Sequence, residues 1–598
     1  MARSVSTVHD IHARRQALRD AFVEWKPTTL HGRLDASAER YGNRPLVISD
    51  DEVLTYRDVA RQSRGLAVGL RQLGIVPGDR VGLVMANHPE FATLKFAISR
   101  AGAIAVPFNY LYKQDELAYV LADSGCRVLV TMTGFDGLDY QGMLDGLAPG
   151  WDRAGFADRP GADRDAVPQL RHVVVLDTDG RARRGVRTVA DVADLEDEDC
   201  DDIEVGLTSP DDPADMLYTS GTTGTPKGVI TTHDAVLRTA YASALTRAYD
   251  DGRRILFSLP CYHMFGYVEG LLSVLYVGGA IIPLTSFSPE RYFASVERHR
   301  ATDMLCVPTM AVAMSESPLK SSYDLSSLTA LLCGSAPAPV WLWPRIAEDF
   351  GVHEIVTGYG MTECGGAMTL TLPEGPLHLT TETVGRPKMA GAASVPGSDE
   401  LVVYKAVDPV TGDDMPAGEE GELVSHGPTV MRGFWNRPEQ TAVALRGEWL
   451  HSGDLGVVRS DGYLRVTGRS KELYKSGGEL VMPKEIEDLL ARHDEISQVF
   501  AIGLVDDRWG EIGCAVVVRA PGATLTESDV LTLCRDNLAK FKVPKRVVFV
   551  DADDLPKELL TALRACGSTA GQRREPGWNC ESRSDKAAFS CPPSARCV

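Results

Sequence analysis

This sequence contains no long apolar run, and that absence argues against a membrane protein. Its longest apolar stretch, "GLLSVLYVGGAIIPL", is short for a bilayer span and contains a Gly-Gly pair. It is better explained as a buried helix followed by a buried strand. The start of the chain is charged throughout, which is not typical of a secretory signal. We therefore expect a cytoplasmic protein without a membrane partner.

Basic charge is also scarce. The chain has 62 Lys and Arg against 82 Asp and Glu, so its formal net charge is -20. Proteins that bind nucleic acid usually present a basic stripe to the phosphate backbone, and none is expected here. We interpret the acidic excess as a solvated surface, and we predict no nucleic-acid partner.

Closely paired cysteines are missing as well. The 12 cysteines form no CxxC pair, and the sequence has no HExxH motif, so we predict no zinc site. Those before position 540 stand singly in apolar surroundings, as Cys306 and Cys333 do, and the rest lie in the C-terminal tail. This usage is typical of buried thiols in a reducing compartment.

The pattern along the chain predicts an α/β fold. Amphipathic segments such as "SRGLAVGLRQLG" alternate with short apolar strands such as "RVGLVMAN" and "CRVLVTM", as in a mostly parallel sheet covered by helices. From about residue 400, short strands separated by turns indicate a β-rich subdomain, followed by a compact α+β unit. We predict a large domain over 1–468 of two α/β subdomains plus the β-rich one, a hinge at 469–471, a small mobile α+β domain over 472–556, and a divergent tail over 557–598.

The first motif with chemical meaning is "YTSGTTGTPKGV", Tyr218–Val229. Its glycines allow the backbone to approach an anion closely, and its hydroxyl groups and backbone N–H groups are donors. Lys227 adds positive charge. The motif is not a Walker-type loop, because Lys227 does not follow a glycine. We predict a phosphate-binding loop.

Three further motifs follow it along the chain. "GYGMTECGG", Gly358–Gly366, offers an aromatic face to a base and oxygens to Mg²⁺. "GEWLHSGDLG" places Asp454 in a tight turn suited to a ribose diol. "GYLRVTGRSKELYKSGGELVMPKEIE" places Arg469 and Lys471 before a Gly-Gly loop.

These four motifs, in this order, resemble those of the adenylate-forming superfamily, and "KSGGE" is similar to its acyl-CoA ligase branch. The resemblance covers about residues 30–556. It implies the adenylate-forming enzyme fold and two steps: a carboxylate reacts with ATP to give acyl-AMP and pyrophosphate, and then CoA takes the acyl group. The implied ligands are a carboxylic acid, CoA, AMP or acyl-AMP, and ATP with Mg²⁺ where adenylation is retained.

The resemblance also implies roles for individual residues. The positions matching the family's phosphate loop are Thr219, Ser220, Gly221, Thr222, Thr223, Gly224 and Lys227. The other positions matching its nucleotide site are Gly334, Ser335, Ala336, Tyr359, Gly360, Met361, Thr362, Asp454 and Arg469. Tyr359 would stack on adenine, Thr362 would contact the α-phosphate, and Asp454 with Arg469 would hold the ribose. Glu363 would bind Mg²⁺.

For the second step, the resemblance implies that Lys471 is the hinge residue, that Gly478 lets pantetheine pass, and that His263 gates the acyl pocket. The CoA-binding positions would be Lys475, Ser476, Gly477 and Gly478, and the acyl-binding positions His263, Gly266, Gly334 and Gly365. Two residues depart from the family pattern: Leu480 stands where asparagine is usual, and Met482 where a small or aromatic residue is usual. Space beside Gly365 favours a bulky acid.

The C-terminal end departs further. Family members carry a Gly-Lys dipeptide shortly after a Leu-Pro pair, and that lysine stabilises charge in the adenylation transition state. Here no Gly-Lys follows Leu555-Pro556; Lys557 comes too early, and Arg564 lacks the preceding glycine. Losing one preorganised group of this kind costs on the order of 10²–10³ in rate. The composition of 565–598 indicates disorder.

Three hypotheses are consistent with this departure. The first, which we take as the main prediction, is a thioesterifying enzyme similar to non-adenylating ligases of natural-product pathways, with adenylation weak or absent and acyl-AMP supplied by a separate ligase. The second is a complete ATP-dependent carboxylic acid:CoA ligase. The third is an inactive protein that binds acyl-adenylate or CoA, which the intact phosphate-loop and ribose motifs disfavour. A reading-frame slip in the tail would also explain the loss of pattern.

Overall fold

A computed structural model describes residues 5–153, 156, 166–194, 208–219, 226–336, 338, 340–469, 474–476, 479–481, 483–506, 510–538 and 542–551. The chain divides into two compact units, Met1–Ser470 and Lys471–Val598. The predicted tail and the 469–471 hinge lie wholly or mostly outside the described residues, so their bounds and roles stay predictions. None of the helices in the described ranges is long and apolar enough to cross a bilayer.

Unit 1 contains two seven-stranded sheets, which confirms the predicted α/β class. The strands of the unit are β1 Pro45–Ile48, β2 Val53–Thr55, β3 Arg80–Val84, β4 Ile104–Phe108, β5 Val128–Met132, β6 Gly134–Phe135, β7 Leu138–Asp139, β8 His172–Leu176, β9 Pro213–Thr219, β10 Lys227–Thr232, β11 Arg254–Phe257, β12 Ala280–Pro283, β13 Asp303–Cys306, β14 Ala330–Cys333, β15 Glu354–Val356, β16 Gly358–Met361, β17 Gly366–Leu370, β18 Arg386–Pro387, β19 Val403–Val407, β20 Glu420–His426, β21 Gly433–Phe434, β22 Leu445–Arg446, β23 Trp449–Val458 and β24 Leu464–Arg469.

Helices accompany the sheets of unit 1. They are α1 Val5–Ala21, α2 Leu30–Tyr41, α3 Tyr56–Gln72, α4 Glu90–Arg100, α5 Gln114–Ser124, α6 Tyr140–Leu147, α7 Val189–Ala193, α8 His233–Thr246, α9 Pro289–His299, α10 Pro308–Glu316, α11 Leu342–Phe350, α12 Leu379–Glu382 and α13 Pro438–Ala444. The apolar stretch expected to be one buried helix is instead a π-helix, Phe265–Leu272, continued by a 3₁₀ turn, Ser273–Tyr276.

The sheet order explains why the strands are so apolar. One sheet runs β15-β14-β13-β11-β12-β1-β2 and the other β21-β10-β9-β4-β3-β5-β8. Most neighbouring strands are parallel, and each sheet is antiparallel at one edge only: β1–β2 in the first and β9–β10–β21 in the second. Parallel strands covered on both faces are buried throughout, which is the pattern of β4 and β5. The predicted β-rich subdomain is also found: β19, β20, β22, β23 and β24 form an antiparallel sheet.

Unit 2 has its own small core, which includes Tyr474, Ile486 and Val517. Its elements are β25 Tyr474–Ser476, β26 Glu479–Val481, α14 Pro483–Leu490, β27 Ile496–Asp506, β28 Gly510–Arg519, α15 Glu527–Asn537 and β29 Arg546–Phe549. The long β27–β28 ladder is antiparallel, and β29 pairs in parallel with β28. This is the α+β composition expected from the sequence. All seven cysteines in the described ranges are free and buried, as predicted.

Candidate active site

The glycine- and threonine-rich motif joins the antiparallel strands β9 and β10. Lys227 pairs with Thr219 and Gly228 with Tyr218, so the hairpin brings the two ends of the loop together. The loop between them, residues 220–225, lies outside the described residues. The predicted phosphate contacts of Ser220, Gly221, Thr222, Thr223 and Gly224 therefore stay predictions.

A side-chain network holds the base of this loop. The Tyr218 hydroxyl donates to one carboxylate oxygen of Asp123 at 2.7 Å, and Arg437 donates to the other at 2.5 Å. The Tyr119 hydroxyl donates to the carbonyl of Pro226 at 3.0 Å. Burial, and then the Asp123 carboxylate, raise the pKa of Tyr218, so its phenol remains a donor. Sequence reasoning missed this network, because Arg437 lies far from the motif along the chain.

Lys227 brings positive charge to the C-terminal end of the loop. Its Nζ lies 5.1 Å from the centre of the Phe434 ring, a cation–π contact. The next residue, Gly228, accepts a hydrogen bond from the backbone of Trp435 at 2.7 Å. Strand β10, which begins at Lys227, therefore pairs with the edge strand β21.

The aromatic of the second motif and the aspartate of the third meet in the structure. The Tyr359 hydroxyl donates to Oδ2 of Asp454 at 2.5 Å, although the two residues are 95 positions apart. Asp454 is buried, with 4% of its surface exposed. Burial, and then the adjacent Asp454 charge, raise the pKa of Tyr359 well above its ordinary value. A ring face suited to a base thus lies next to a carboxylate suited to a ribose.

The β23–β24 ladder places Arg469 directly opposite Asp454. Asp454 lies within strand β23 and not in the tight turn that we predicted. The register between β20 and β23 shifts beside it, and Glu422 on β20 supports the strand there. Glu422 accepts from the backbone N–H of Gly453 at 3.0 Å and pairs with Nδ1 of His451 at 2.8 Å. Neither Glu422 nor His451 was singled out from the sequence, because neither contact can be inferred from the motif.

The loop after β14 borders β16, the strand that carries Tyr359. At Gly334, the direction in which a side chain would project points to the carbonyl of Gly358, 3.5 Å away. Ser335 has a φ of 70°, in the left-handed region that costs a non-glycine residue roughly 1–2 kcal/mol. Strain of this kind often marks ligand-binding loops. Ser335 and Ala336 are exposed, so the loop is open to a ligand.

Thr362 and Glu363 begin a short turn directly after β16. Thr362 is buried and Glu363 half-buried, and the carbonyl of Glu363 accepts from the backbone of Met431 at 2.8 Å. The described residues contain no cluster of three potential metal ligands. Mg²⁺ held together with substrate phosphates needs only one or two protein carboxylates, so Glu363 fits as a single ligand.

Gly360 and Met361 complete β16. A Cβ at Gly360 would lie 1.9 Å from the carbonyl of Gly366 on the paired strand, so only glycine fits there. Met361 pairs with Gly366 across the ladder and is half-buried. Glycine is therefore required at position 360 for the close approach of β16 and β17, whether or not this residue contacts a ligand.

His263 precedes the π-helix. Its ring is exposed, and Nδ1 accepts from the backbone of Phe265 at 3.2 Å, which leaves the proton on Nε2. Gly266 follows on the first turn; a Cβ there would lie 2.5 Å from the carbonyl of Leu259, so the helix can approach this strand end only with glycine. His263 is exposed, whereas an ordinary core histidine would be buried.

Two glycines follow Glu363 beside the residue that precedes the π-helix. Gly365 and Gly366 have φ values of 91° and 116°, in the left-handed region that favours glycine. A Cβ at Gly366 would be in van der Waals contact with Met264 at 3.5 Å and with Thr239 on α8 at 3.8 Å.

In unit 2, the motif around the second Gly-Gly pair includes two antiparallel strands, β25 and β26. Lys475 pairs with Leu480 and Ser476 with Glu479. The two glycines, together with Lys471 and Met482, lie outside the described residues, and their roles stay predictions.

Comparison with known proteins gives one consistent answer. The sequence model of the AMP-binding enzymes matches residues 34–435, and that of the AMP-binding enzyme C-terminal domain matches residues 485–559. The feruloyl-CoA synthase of an Amycolatopsis species is 36% identical over 498 residues, 83% of this chain and 90% of that protein.

Two further proteins agree with this result. A methyl-dioxo-octahydroindenyl-propanoyl:CoA ligase of Mycobacterium tuberculosis is 33% identical over 527 residues, 88% of this chain and 95% of that protein. The crystal structure of ATP-bound MatB from Rhodopseudomonas palustris superimposes with a TM-score of 0.75 at 28% identity, covering 90% of this chain and 99% of that one.

None of these findings supports weak or absent adenylation, and they favour the complete ligase that was our second hypothesis. The match to the C-terminal domain extends to residue 559, beyond Leu555-Pro556. The structure describes nothing after residue 551, so the missing lysine remains a statement about the sequence alone. Nothing in the comparisons indicates a separate adenylating partner.

Proposed function

The chain belongs to the family of AMP-binding enzymes, and on that premise we propose that it is an ATP-dependent carboxylic acid:CoA ligase that reacts through acyl-AMP. Relatives that are 36% and 33% identical are named as a CoA synthase and a CoA ligase. Both are matched over at least 90% of their own length. The proposal therefore extends to both half-reactions.

In the first step, a carboxylate oxygen attacks the α-phosphorus of ATP, and pyrophosphate leaves. Lys227 and the loop that follows Thr219 neutralise the departing phosphates, and Thr362 donates to the α-phosphate. Glu363 would hold Mg²⁺, and the ion would supply positive charge between the two anions. Tyr359 stacks on adenine, while Asp454 and Arg469 hold the ribose hydroxyls.

In the second step, the CoA sulfur attacks the carbonyl carbon of acyl-AMP, the bond to the phosphate oxygen breaks, and AMP leaves. We assign the β25–β26 hairpin, with Lys475, Ser476, Gly477 and Gly478, to the pantetheine channel. Lys471 acts as the hinge between the two steps. His263 stands at the entrance to the acyl pocket, which Gly266, Gly334 and Gly365 border.

The acid we propose carries a ring system. Feruloyl and octahydroindenyl groups, named for two relatives, are both cyclic. In this chain, Gly365 and Gly366 place no side chain beside Met264 and Thr239.

The observation that carries the proposal is the pair formed by Tyr359 and Asp454. Two motifs far apart in the sequence meet at 2.5 Å, with Arg469 opposite the aspartate in the ladder. An adenosine needs both a base platform and a diol ligand, and this pair supplies them side by side.

The test compares two substrate mixtures. Purified protein receives cyclic acids such as ferulic acid with ATP, Mg²⁺ and CoA; separately, it receives the synthetic acyl-AMP with CoA. Acyl-CoA and AMP in both mixtures support the proposal. Acyl-CoA in neither mixture contradicts it and favours a binding protein.

A second candidate is favoured by one observation, the absence of Gly-Lys after Leu555-Pro556. A chain that lacks the adenylation lysine would carry out only the thioesterification step. That candidate predicts acyl-CoA from acyl-AMP and CoA, and none from the free acid and ATP.

A further inference from the structure

The C-terminal half of helix α5 contacts both ends of the phosphate loop. Tyr119 and Asp123 stand about one turn apart on this helix, so their side chains share a face. Asp123 accepts from the hydroxyl of Tyr218, before the loop, at 2.7 Å. Tyr119 donates to the carbonyl of Pro226, directly before Lys227, at 3.0 Å. One helix face therefore binds the residues that flank the loop on both sides.

Arg437 connects these two contacts. Its Nη2 donates to the second carboxylate oxygen of Asp123 at 2.5 Å and to the hydroxyl of Tyr119 at 3.4 Å. The side chain of Asp123 is only 11% exposed, and that of Arg437 is 31% exposed. A largely buried carboxylate that loses its cationic partner is costly, so the position of Asp123 depends on this arginine.

Trp435 holds the same helix end against β10. Its indole Nε1 donates to the carbonyl of Asp123 at 3.1 Å, and its backbone N–H donates to the carbonyl of Gly228 at 2.7 Å. Arg80 lies 5.2 Å from the centre of the Trp435 ring and donates to the last carbonyl of α5 at 3.0 Å. Trp435 and Arg437 therefore fix the end of α5 to the strand that leaves the loop.

The phosphate loop and the proposed adenosine contacts lie on different elements. Tyr359 and Asp454 stand on β16 and β23, whereas the loop joins β9 to β10. In the proposed reaction, Lys227 and the loop neutralise the phosphates that leave as pyrophosphate. AMP lacks those two phosphates. A residue that acts only through the ends of the loop should therefore affect the binding of ATP and not that of AMP.

We propose that Arg437 is a positioning residue for adenylation. Through Asp123 and Tyr119 it holds both ends of the phosphate loop, and with them Lys227, where the departing pyrophosphate binds. It acts through these side chains and not by contact with the nucleotide. This inference rests on the proposed function, since it concerns the same ATP site and only the first of the two half-reactions.

The chain contains the same local chemistry away from the loop. Asp234 accepts from Nε1 of Trp25 at 2.7 Å and from Nε of Arg238 at 2.5 Å, and its side chain is 11% exposed, as that of Asp123 is. Asp234 follows the C-terminal end of β10, whereas the phosphate loop leads into the first residue of that strand. Substitution of Arg238 therefore measures what such a network contributes to the fold alone.

The test compares ATP with AMP as ligands. Each is titrated with Mg²⁺ into the full-length protein by calorimetry, without the acid, so that no turnover occurs. Arg437→Met should weaken ATP binding roughly tenfold, a loss typical of a charge-assisted hydrogen bond, and should leave AMP affinity unchanged. Arg437→Lys keeps a cation beside Asp123 and should recover most of the ATP affinity. The matched control, Arg238→Met, should leave both affinities unchanged.

Tyr218→Phe gives an independent measure if Arg437→Met does not fold. It removes only the hydroxyl and keeps the ring, whose centre lies 5.8 Å from that of Phe108. This variant should also weaken the binding of ATP and not that of AMP. Equal weakening of ATP and AMP in these variants, or unchanged ATP affinity in both, overturns the inference alone. A wild-type chain that binds AMP but not ATP overturns the proposed function as well.

Discussion

At the scale of single residues, the candidate site depends on hydrogen bonds between positions distant in the sequence. Tyr359 and Asp454 form one such contact, and Tyr218, Asp123 and Arg437 form another. Each contact joins a motif residue to a part of the chain that the motif does not specify. A single substitution can therefore weaken ligand binding while it leaves the motif itself intact.

We expect Tyr359→Phe to weaken AMP binding by roughly tenfold, because the ring remains but the hydrogen bond that orients Asp454 is lost. The pKa of Tyr359 is raised, so its phenol stays protonated and the effect should be equal at about pH 6 and about pH 9. Calorimetric titration with AMP measures it. Tyr404→Phe removes a buried hydroxyl near Cys364 and is the control. An unchanged AMP affinity in the Tyr359 variant would show that this bond does not orient the site.

At the scale of elements, β16 and β17 bring the aromatic motif to the site through close backbone contact. The ladder pairs Gly360 with Ala367 and Met361 with Gly366. Because the backbones nearly touch at Gly360, this glycine determines where Tyr359 and Thr362 stand. The phosphate-loop hairpin has a comparable constraint at Gly228, where a Cβ would lie 2.8 Å from the Met216 side chain.

We expect Gly360→Ala to lower the thermal midpoint of unfolding, since the new methyl group would lie 1.9 Å from a carbonyl oxygen that cannot move without breaking the ladder. Gly180→Ala is the control: its φ of 73° is unfavourable for alanine, but nothing lies within 4 Å of the new Cβ. That substitution should cost only about 1 kcal/mol. Equal midpoints for the two variants, measured by scanning calorimetry, would contradict the close approach.

Helix α1 is a second element with a measurable role. Arg15 donates to the carbonyls of Leu245 and Thr246, at 3.3 Å and 2.8 Å, and pairs with Glu374. The last carbonyls of a helix have no partner within it, so the guanidinium caps the C-terminus of α8. Helix α1 therefore stabilises the C-terminal end of α8.

We expect Arg15→Ala to destabilise unit 1 by about 3 kcal/mol, because it leaves the largely buried carboxylate of Glu374 and the carbonyl of Thr246 without this donor. Arg61→Ala removes an exposed pair with Asp58 and should change stability by less than about 0.5 kcal/mol. Thermal unfolding and limited proteolysis measure both. A midpoint for the Arg15 variant equal to that of the Arg61 variant would contradict the capping role.

At the scale of the whole molecule, the chain has two units and the proposed reaction two steps. The motifs for nucleotide and acid lie in unit 1, and the glycine-rich hairpin lies in unit 2. The segment in which family members carry the adenylation lysine follows β29 in unit 2. The two half-reactions should therefore respond differently to a change at that segment.

We expect replacement of Lys557–Leu559 with the tripeptide threonine–glycine–lysine to raise pyrophosphate release from ATP and the free acid, by on the order of 10²-fold, because it supplies a cation for the adenylation transition state. The rate from acyl-AMP and CoA should not change. A coupled pyrophosphate assay and an acyl-CoA assay follow the two steps. An unaltered pyrophosphate rate would show that this segment does not limit adenylation.

Much of the fold could be predicted because the apolar runs in the sequence are the strands that the structure buries. The apolar runs "RVGLVMAN" and "CRVLVTM", predicted as strands, contain β3 and β5, since parallel strands between two layers must be apolar throughout. The stretch after His263 was harder, because a run of apolar residues does not distinguish an α-helix from the π-helix that forms. Likewise, nothing adjacent in the sequence indicated that Glu422 accepts from the backbone of Gly453, the residue before Asp454 on β23.

The sequence by itself determined the family, the order of the motifs and the elements, because glycines, hydroxyls and apolar periods are local properties of the chain. Only the tertiary structure decided which residues meet. It joined Tyr359 to Asp454, Arg437 to Asp123 and Lys388 to Glu269. Such contacts between distant positions depend on how sheets and helices pack, and no local pattern encodes them.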